Sequence, residues 1–174
     1  MKKFTLIAAA LLVVGAAQAQ DYKNSIGIRL SGSPYETVGA SFKTFISDKA
    51  ALEFDLGFDP EASTIIPGFD GGFYDFDYSA LALSGAYQHH FPIGSISGFK
   101  WFVGGGAIIA NTFSKYEPYK GINIGIFPTG GVDYKLRNAP FAFSADVRPT
   151  AMIVKTDAYN GINFGGGVTA RYTF

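Results

Sequence analysis

The feature that most constrains this chain is an alternation of apolar and polar side chains that repeats along its length. In residues 51–59 the apolar members are Leu52, Phe54, Leu56 and Phe58, and the intervening residues are Glu53, Asp55, Gly57 and Asp59. Successive side chains of a β-strand point to opposite faces of the sheet. A two-residue period therefore predicts a strand with one apolar and one charged environment.

The same alternation recurs in eight segments, which predict eight strands. They are residues 25–31, 37–46, 51–59, 76–90, 100–113, 122–136, 141–149 and 161–174. Short turns at 47–49 and 137–140 alternate with longer links at 59–75, 114–121 and 150–160, a pattern typical of outer-membrane barrels. We expect a bulge or a strand start near Ser79, because Phe76 and Tyr78 fall in the other parity from the apolar residues that follow them.

The faces opposite the apolar ones carry charges of both signs in equal number. These predicted interior residues are Arg29, Lys43, Glu53, Asp55, Asp133, Asp146, Arg148 and Arg171. A soluble β-sandwich or lipocalin has an apolar interior and a polar surface. Here the faces opposite the apolar ones carry these charges, so the strands offer no second set of apolar positions for such an interior. We therefore predict an all-β fold, an eight-stranded antiparallel up-and-down transmembrane β-barrel with an ion-paired interior. A narrow conductive pore lined by the same charges is the alternative interpretation of these residues.

Aromatic residues fall near the ends of the predicted strands, where amphipathic rings mark the two membrane interfaces. The predicted membrane-interface aromatics are Phe58, Tyr78, Tyr87, Trp101, Tyr134, Tyr172 and Phe174.

The first residues of the chain predict export. Lys2 and Lys3 form a basic start, an apolar run follows, and Ala17-Gln18-Ala19 is a small-residue cleavage site. The apolar run is shorter than the roughly 20 residues that span a bilayer. We therefore predict a cleaved secretory signal peptide over residues 1–19 and a barrel domain over residues 20–174. The chain has no cysteine, which excludes disulfides and a lipid-modified cysteine.

Composition and motifs argue against other classes of function. The chain has no net charge and no basic run, so we expect no nucleic-acid partner. Its histidines are His89 and His90, at the turn rim, and no nucleophile–base arrangement can be assembled around them. The acidic stretch from Asp59 to Asp77 lacks the spacing of a calcium loop. We therefore expect no enzymatic activity, no cofactor and no metal.

Three motifs resemble those of a known family. They are Tyr172-Thr173-Phe174 at the end of the chain, Tyr87-Gln88-His89-His90-Phe91-Pro92, and Asp146-Val147-Arg148-Pro149. With them, the mature chain resembles the small eight-stranded outer-membrane barrels of the OmpA transmembrane domain, OmpX and OmpW type. The resemblance implies that Tyr172 and Phe174 form the signal read by the barrel-assembly machinery. One departure is Thr169, where the family's signal often has glycine.

These observations together predict a non-enzymatic integral protein of a Gram-negative outer membrane. We expect a structural or surface-interaction role through the outer loops, and a monomer. The expected partners are outer-membrane lipid, lipopolysaccharide, whose phosphates could meet Lys115, Lys120 and Lys155, the assembly machinery, and an unidentified extracellular ligand. A narrow passive channel for small solutes or ions and a soluble periplasmic ligand-binding β-barrel are the alternatives.

Overall fold

The computed structural model describes residues 22–67, 73–94 and 96–174. The predicted signal peptide, residues 1–19, lies outside the described residues and stays a prediction. Among the described residues, no helix has the length and apolar character needed to cross a membrane.

The described strands close into one antiparallel barrel. They are β1 (Asn24–Ser33), β2 (Glu36–Phe45), β3 (Ala50–Pro67), β4 (Phe73–Pro92), β5 (Phe99–Phe113), β6 (Gly121–Lys135), β7 (Phe141–Val147), β8 (Thr150–Val154), β9 (Ile162–Asn163) and β10 (Gly166–Thr173). A short 3-10 turn, Glu117–Tyr119, lies between β5 and β6. Because β1 pairs with both β2 and β10, the first and last strands meet and the sheet closes. The predicted eight-stranded up-and-down barrel is confirmed as a fold.

The seventh and eighth barrel strands are each made of two pieces. β7 and β8 both pair with β6, and they pair in turn with β10 and β9. Pro149 lies at the break and has no N–H to give to the ladder, which interrupts the strand there. The neighbouring amide of Arg148 donates to the carbonyl of Gly165 at 2.7 Å, so the two pieces stay in register across the break.

The alternation in the sequence becomes an inside and an outside. In β3 the side chains of Glu53 and Asp55 are each 2% exposed, whereas Phe54 and Leu56 between them are 46% and 52% exposed. The other long strands repeat this arrangement, with aliphatic and aromatic residues outside and polar residues inside. The polarity is therefore the reverse of a water-soluble domain, in which apolar side chains fill the interior.

The predicted bulge lies opposite Ser79 and belongs to the neighbouring strand. Asp59 pairs with Ala80 and Ala62 pairs with Tyr78, so two residues of β3 face one residue of β4. β3 and β4 then continue as a hairpin to Pro67 and Phe73, through much of the link predicted over residues 59–75. From Tyr78 onward β4 alternates without a break, so Tyr78 lies on the inward side with Ala80.

Glycines allow the strands to approach closely where the barrel closes. A Cβ atom added to Gly27 of β1 would lie 1.9 Å from the carbonyl oxygen of Ala170 in β10. Real Cβ atoms do not come so near a backbone oxygen, so any other residue at this position would push the first and last strands apart. Gly32, near the end of the same strand, has no atom within 4 Å of its added Cβ.

Candidate functional site

The centre of the barrel is an ionic cluster built around Glu53. Its carboxylate binds the guanidinium groups of Arg148 and Arg171, the latter at 2.5 Å, and the ammonium of Lys43 at 3.1 Å. Lys43 lies in β2, Arg148 directly after β7, and Arg171 in β10. The carboxylate therefore ties together parts of the barrel that are far apart in the sequence.

Arg148 extends this cluster toward the loop rim, the end of the barrel that carries the longer connections. Its guanidinium donates to Asp55 at 2.7 Å and to Asp146 at 2.6 Å. Asp146 in turn accepts a bond of 2.8 Å from Arg29. Each of these side chains is almost fully buried, so every charge depends on its partners for stabilisation.

Lys43 extends the cluster toward the turn rim, the opposite end. Its ammonium lies 2.8 Å from Asp133, which also accepts from the hydroxyl of Tyr22 at 3.2 Å. Arg171 completes its bonding with the hydroxyls of Ser41 and Ser144. The structure thus brings all eight charged residues predicted for the interior into one connected network.

Glu36, a member of this interior, was not predicted from the sequence. Its carboxylate lies 3.6 Å from the Nε atom of Arg29. The residue as a whole is 4% exposed. A Cβ added to Gly39 or Gly57 would collide with the Glu36 side chain, so these two inward glycines provide its space. Their inward parity is the sequence signal that could have indicated a large side chain nearby.

Aromatic residues close the interior at the turn rim. The ring of His90 lies 4.9 Å from that of Phe45 and 5.1 Å from that of Phe102, and Phe45 also contacts Tyr22 edge-on. The Lys100 ammonium lies 5.3 Å from the Phe45 ring. Burial and the neighbouring Asp133 raise the pKa of Tyr22, which keeps its hydroxyl a donor.

Tyrosines close the interior at the loop rim. Tyr159, from the connection between β8 and β9, turns inward and packs edge-on against Tyr35 and Tyr78. Its hydroxyl accepts from Thr112 at 3.2 Å, and Tyr78 donates to the carbonyl of Ala158. Burial raises the pKa of both Tyr35 and Tyr159, so these phenols stay neutral.

The prediction that Tyr78 is an outward interface aromatic is therefore wrong. Its side chain is 5% exposed and belongs to the interior cluster. The small inward residues Ala80 and Ala110 leave room for its ring. Six other predicted interface aromatics point outward: Phe58, Tyr87, Trp101, Tyr134, Tyr172 and Phe174.

The barrel interior contains a small cavity under the loop rim. A cavity of about 10 Å³ lies beside Arg29, Glu36 and Tyr35 under the loop rim. That volume holds about one water molecule. A solute wider than water would have to displace the salt bridges that surround this space.

Neither histidine lies in an arrangement suited to catalysis. His89 faces the outer wall, where its Nδ1 atom lies 3.3 Å from the Tyr87 hydroxyl. His90 faces the interior among aromatic rings, and its Nε2 atom is 3.9 Å from Asp133. Among the described residues, no three or more histidine, cysteine or acidic side chains are grouped so that they could hold a metal ion.

Comparison with solved structures supports the fold. No protein-family model matches the sequence, and no curated protein matches it either. The structure is similar to the N-terminal β-barrel domain of Pseudomonas aeruginosa OprF, with a TM-score of 0.51 and 15% identity over 88% of this chain and 100% of that one. It is also similar to Neisserial surface protein A, with a TM-score of 0.50 and 13% identity over 87% of this chain and 96% of that one. The resemblance to small eight-stranded outer-membrane barrels, first seen in the sequence, is confirmed at the level of the fold.

Proposed function

We propose that this protein is a non-enzymatic integral barrel of the outer membrane, exported by a cleaved signal peptide. The observation that supports this most directly is the reversed polarity of the wall. Ile28 and Leu56 are 63% and 52% exposed, while Arg29 and Arg171 are each 1% exposed. In water the outer surface would be a continuous apolar patch of a size that monomeric soluble proteins rarely expose. In lipid the same surface is the stable one.

The apolar outer wall also weighs against the soluble periplasmic carrier. A carrier of that class holds its ligand in an apolar interior cavity and shows a polar surface to water. Here the interior is filled with paired charges, and the cavity beside Arg29 has room for about one water.

The ionic network weighs against the narrow channel. Glu53 binds three cations across the middle of the barrel, and Tyr159 turns inward above them. An ion passing through would have to separate buried pairs whose loss costs several kcal/mol. We therefore propose a closed barrel that acts through the connections at its loop rim.

The surface role is proposed for the connections at the loop rim. The hairpin that β3 and β4 form at this rim carries Glu61, Asp70, Asp75 and Asp77 beyond the bulge and no lysine or arginine. Such a segment suits contact with a cationic or polar partner outside the cell. Lys115, Lys120 and Lys155 on the other connections suit the phosphates of lipopolysaccharide.

The experiment that tests the proposal is extraction and electrophoresis of a membrane fraction. We expect the protein to resist salt and alkaline washing, to dissolve only in detergent, and to migrate differently before and after boiling. Release into the soluble fraction without detergent would refute the membrane location and favour the periplasmic carrier.

A further inference from the structure

The two rims of the barrel differ in charge. The turn rim presents the exposed cations Lys23, Lys49 and Arg137 and the exposed carboxylate of Asp48. The loop rim presents three exposed lysines, but Glu117 and Asp157 offset two of them. The β3–β4 hairpin adds Glu61, Asp70, Asp75 and Asp77 to the negative charge on that side. The barrel therefore has a basic end and an acidic end.

The cations of the turn rim are available for a partner. Lys23 precedes β1, Lys49 precedes β3, and Arg137 lies in the turn after β6, so they are spread around the rim. All are exposed, and none of them takes part in a salt bridge among the described residues. Lys135 differs, because its ammonium is held by the carbonyls of Leu136 and Ala139 at 2.7 Å.

Outward aromatic rings lie at the same end of the barrel. Trp101 stacks on Phe91 with ring centroids 4.4 Å apart, and Phe141 packs edge-on against Tyr172 at 5.9 Å. In a membrane such rings lie at headgroup level. Arg137 comes four residues before Phe141, in the turn beyond the strand ends, and therefore lies at the depth of the phosphates.

We propose that Lys23, Lys49 and Arg137 form a binding surface for anionic glycerophospholipid headgroups at the turn rim. This inference rests on the proposed membrane location. Cations at headgroup depth attract anionic lipid, each adding to the preference. These cations favour anionic over neutral lipid next to the barrel. Their binding to the headgroups keeps the turn rim at the surface of the leaflet that contains the anionic lipid.

Trp101 provides a local probe of this surface, because it is the one tryptophan of the chain and lies at the turn rim. The full-length barrel would be reconstituted into vesicles of phosphatidylcholine mixed with phosphatidylglycerol, with one or the other lipid brominated on its acyl chains. The ratio of the two quenching efficiencies measures which lipid lies next to Trp101. We expect phosphatidylglycerol to be enriched about threefold at low salt, and less at high salt.

A matched pair of triple variants locates the effect. Replacing Lys23, Lys49 and Arg137 with glutamine should abolish the enrichment. Replacing Lys115, Lys120 and Lys155 with glutamine removes the same charge from the loop rim and should leave it unchanged. Equal quenching by both lipids in the unchanged protein, or an equal loss in both variants, would overturn the inference. Absence of quenching in pure brominated phosphatidylcholine would instead show that the protein does not insert, and so refute the proposed function.

Discussion

The guanidinium of Arg148 binds the carboxylate of Glu53 across the barrel interior, joining residues that are 95 positions apart in the sequence. Arg148 lies at the break between β7 and β8, and the alternation of inward and outward residues continues through the break, so its side chain points inward. From there it also binds Asp55 and Asp146, so that one guanidinium contacts three carboxylates.

Replacing Arg148 with methionine should destabilise the barrel strongly. Three buried carboxylates would lose their shared partner, and breaking a buried ion pair from one side costs about 3–5 kcal/mol. The free energy of unfolding in urea, measured in detergent micelles or vesicles, checks this. Lys155→Met, at an exposed position, is the control and should leave the midpoint in place. Equal midpoints for both variants would contradict the structural role of Arg148.

Gly27→Ala should impair closure of the barrel. The new methyl group would lie 1.9 Å from the carbonyl oxygen of Ala170, so β1 and β10 could not keep their register. The fraction of protein that shows the heat-sensitive gel shift measures closure. Gly32→Ala adds the same methyl group where no atom lies within 4 Å and should behave as the unchanged protein. A normal gel shift for Gly27→Ala would show that the strands can separate without cost.

Phe174→Ala should slow assembly more than it weakens the finished barrel. The ring is 52% exposed, so its loss removes little packing, but the resemblance assigns it to the assembly signal with Tyr172. Pulse labelling of membrane insertion and the urea midpoint separate the two effects. Phe164→Ala removes another exposed aromatic away from the signal and serves as the control. Normal insertion of Phe174→Ala would refute the assignment.

The unchanged protein should be electrically silent. Among the described residues, the network around Glu53 and the inward Tyr159 occupy the interior, and the cavity beside Arg29 holds about one water molecule. Planar bilayers with a high protein load should show no discrete conductance steps. Reproducible steps that scale with the amount of protein would favour the channel.

Alkaline pH should weaken the loop rim through Tyr159. Burial raises the pKa of this phenol above its ordinary value of 10, so the folded state keeps the proton that the unfolded chain releases. Its stabilising contribution is fully present below the ordinary pKa and is lost as pH rises through the folded value. The pH dependence of the unfolding free energy should therefore be shallower in Tyr159→Phe. An unchanged slope would exclude this residue as a source.

The sequence was sufficient for the fold because the alternation is local. Whether Glu53 or Phe54 faces inward depends only on strand parity, and a membrane barrel uses both parities fully. The eight interior charges follow from the same parity, without knowledge of which cation meets which carboxylate. Those pairings depend on the register between strands, which no short stretch of sequence contains.

Strand parity alone does not predict the positions of three interior residues, Tyr78, Glu36 and Tyr159. Parity alone predicts a bulge in the strand of Tyr78 and therefore an outward ring, whereas the extra residue is in β3 and the ring turns inward. The alternation does not indicate Glu36, because it comes directly after a short turn; the pairing of β1 with β2 brings it beside Arg29. Tyr159 lies in a connection, where side-chain direction is set by the partners Tyr35 and Thr112 and not by any period.

The distribution of the interior charges along the chain has a consequence for folding. Arg29 lies in the first strand and Arg171 in the last, and their partners lie between them. A sheet that has formed only β1, β2 and β3 would hold Glu36, Glu53 and Asp55 with Arg29 and Lys43. It would lack Arg148 and Arg171, which Glu53 and Asp55 bind in the complete barrel. Partly formed barrels therefore carry uncompensated charges, while the complete ring carries pairs. Folding should accordingly be all-or-none, with the meeting of β1 and β10 as the step that commits the chain.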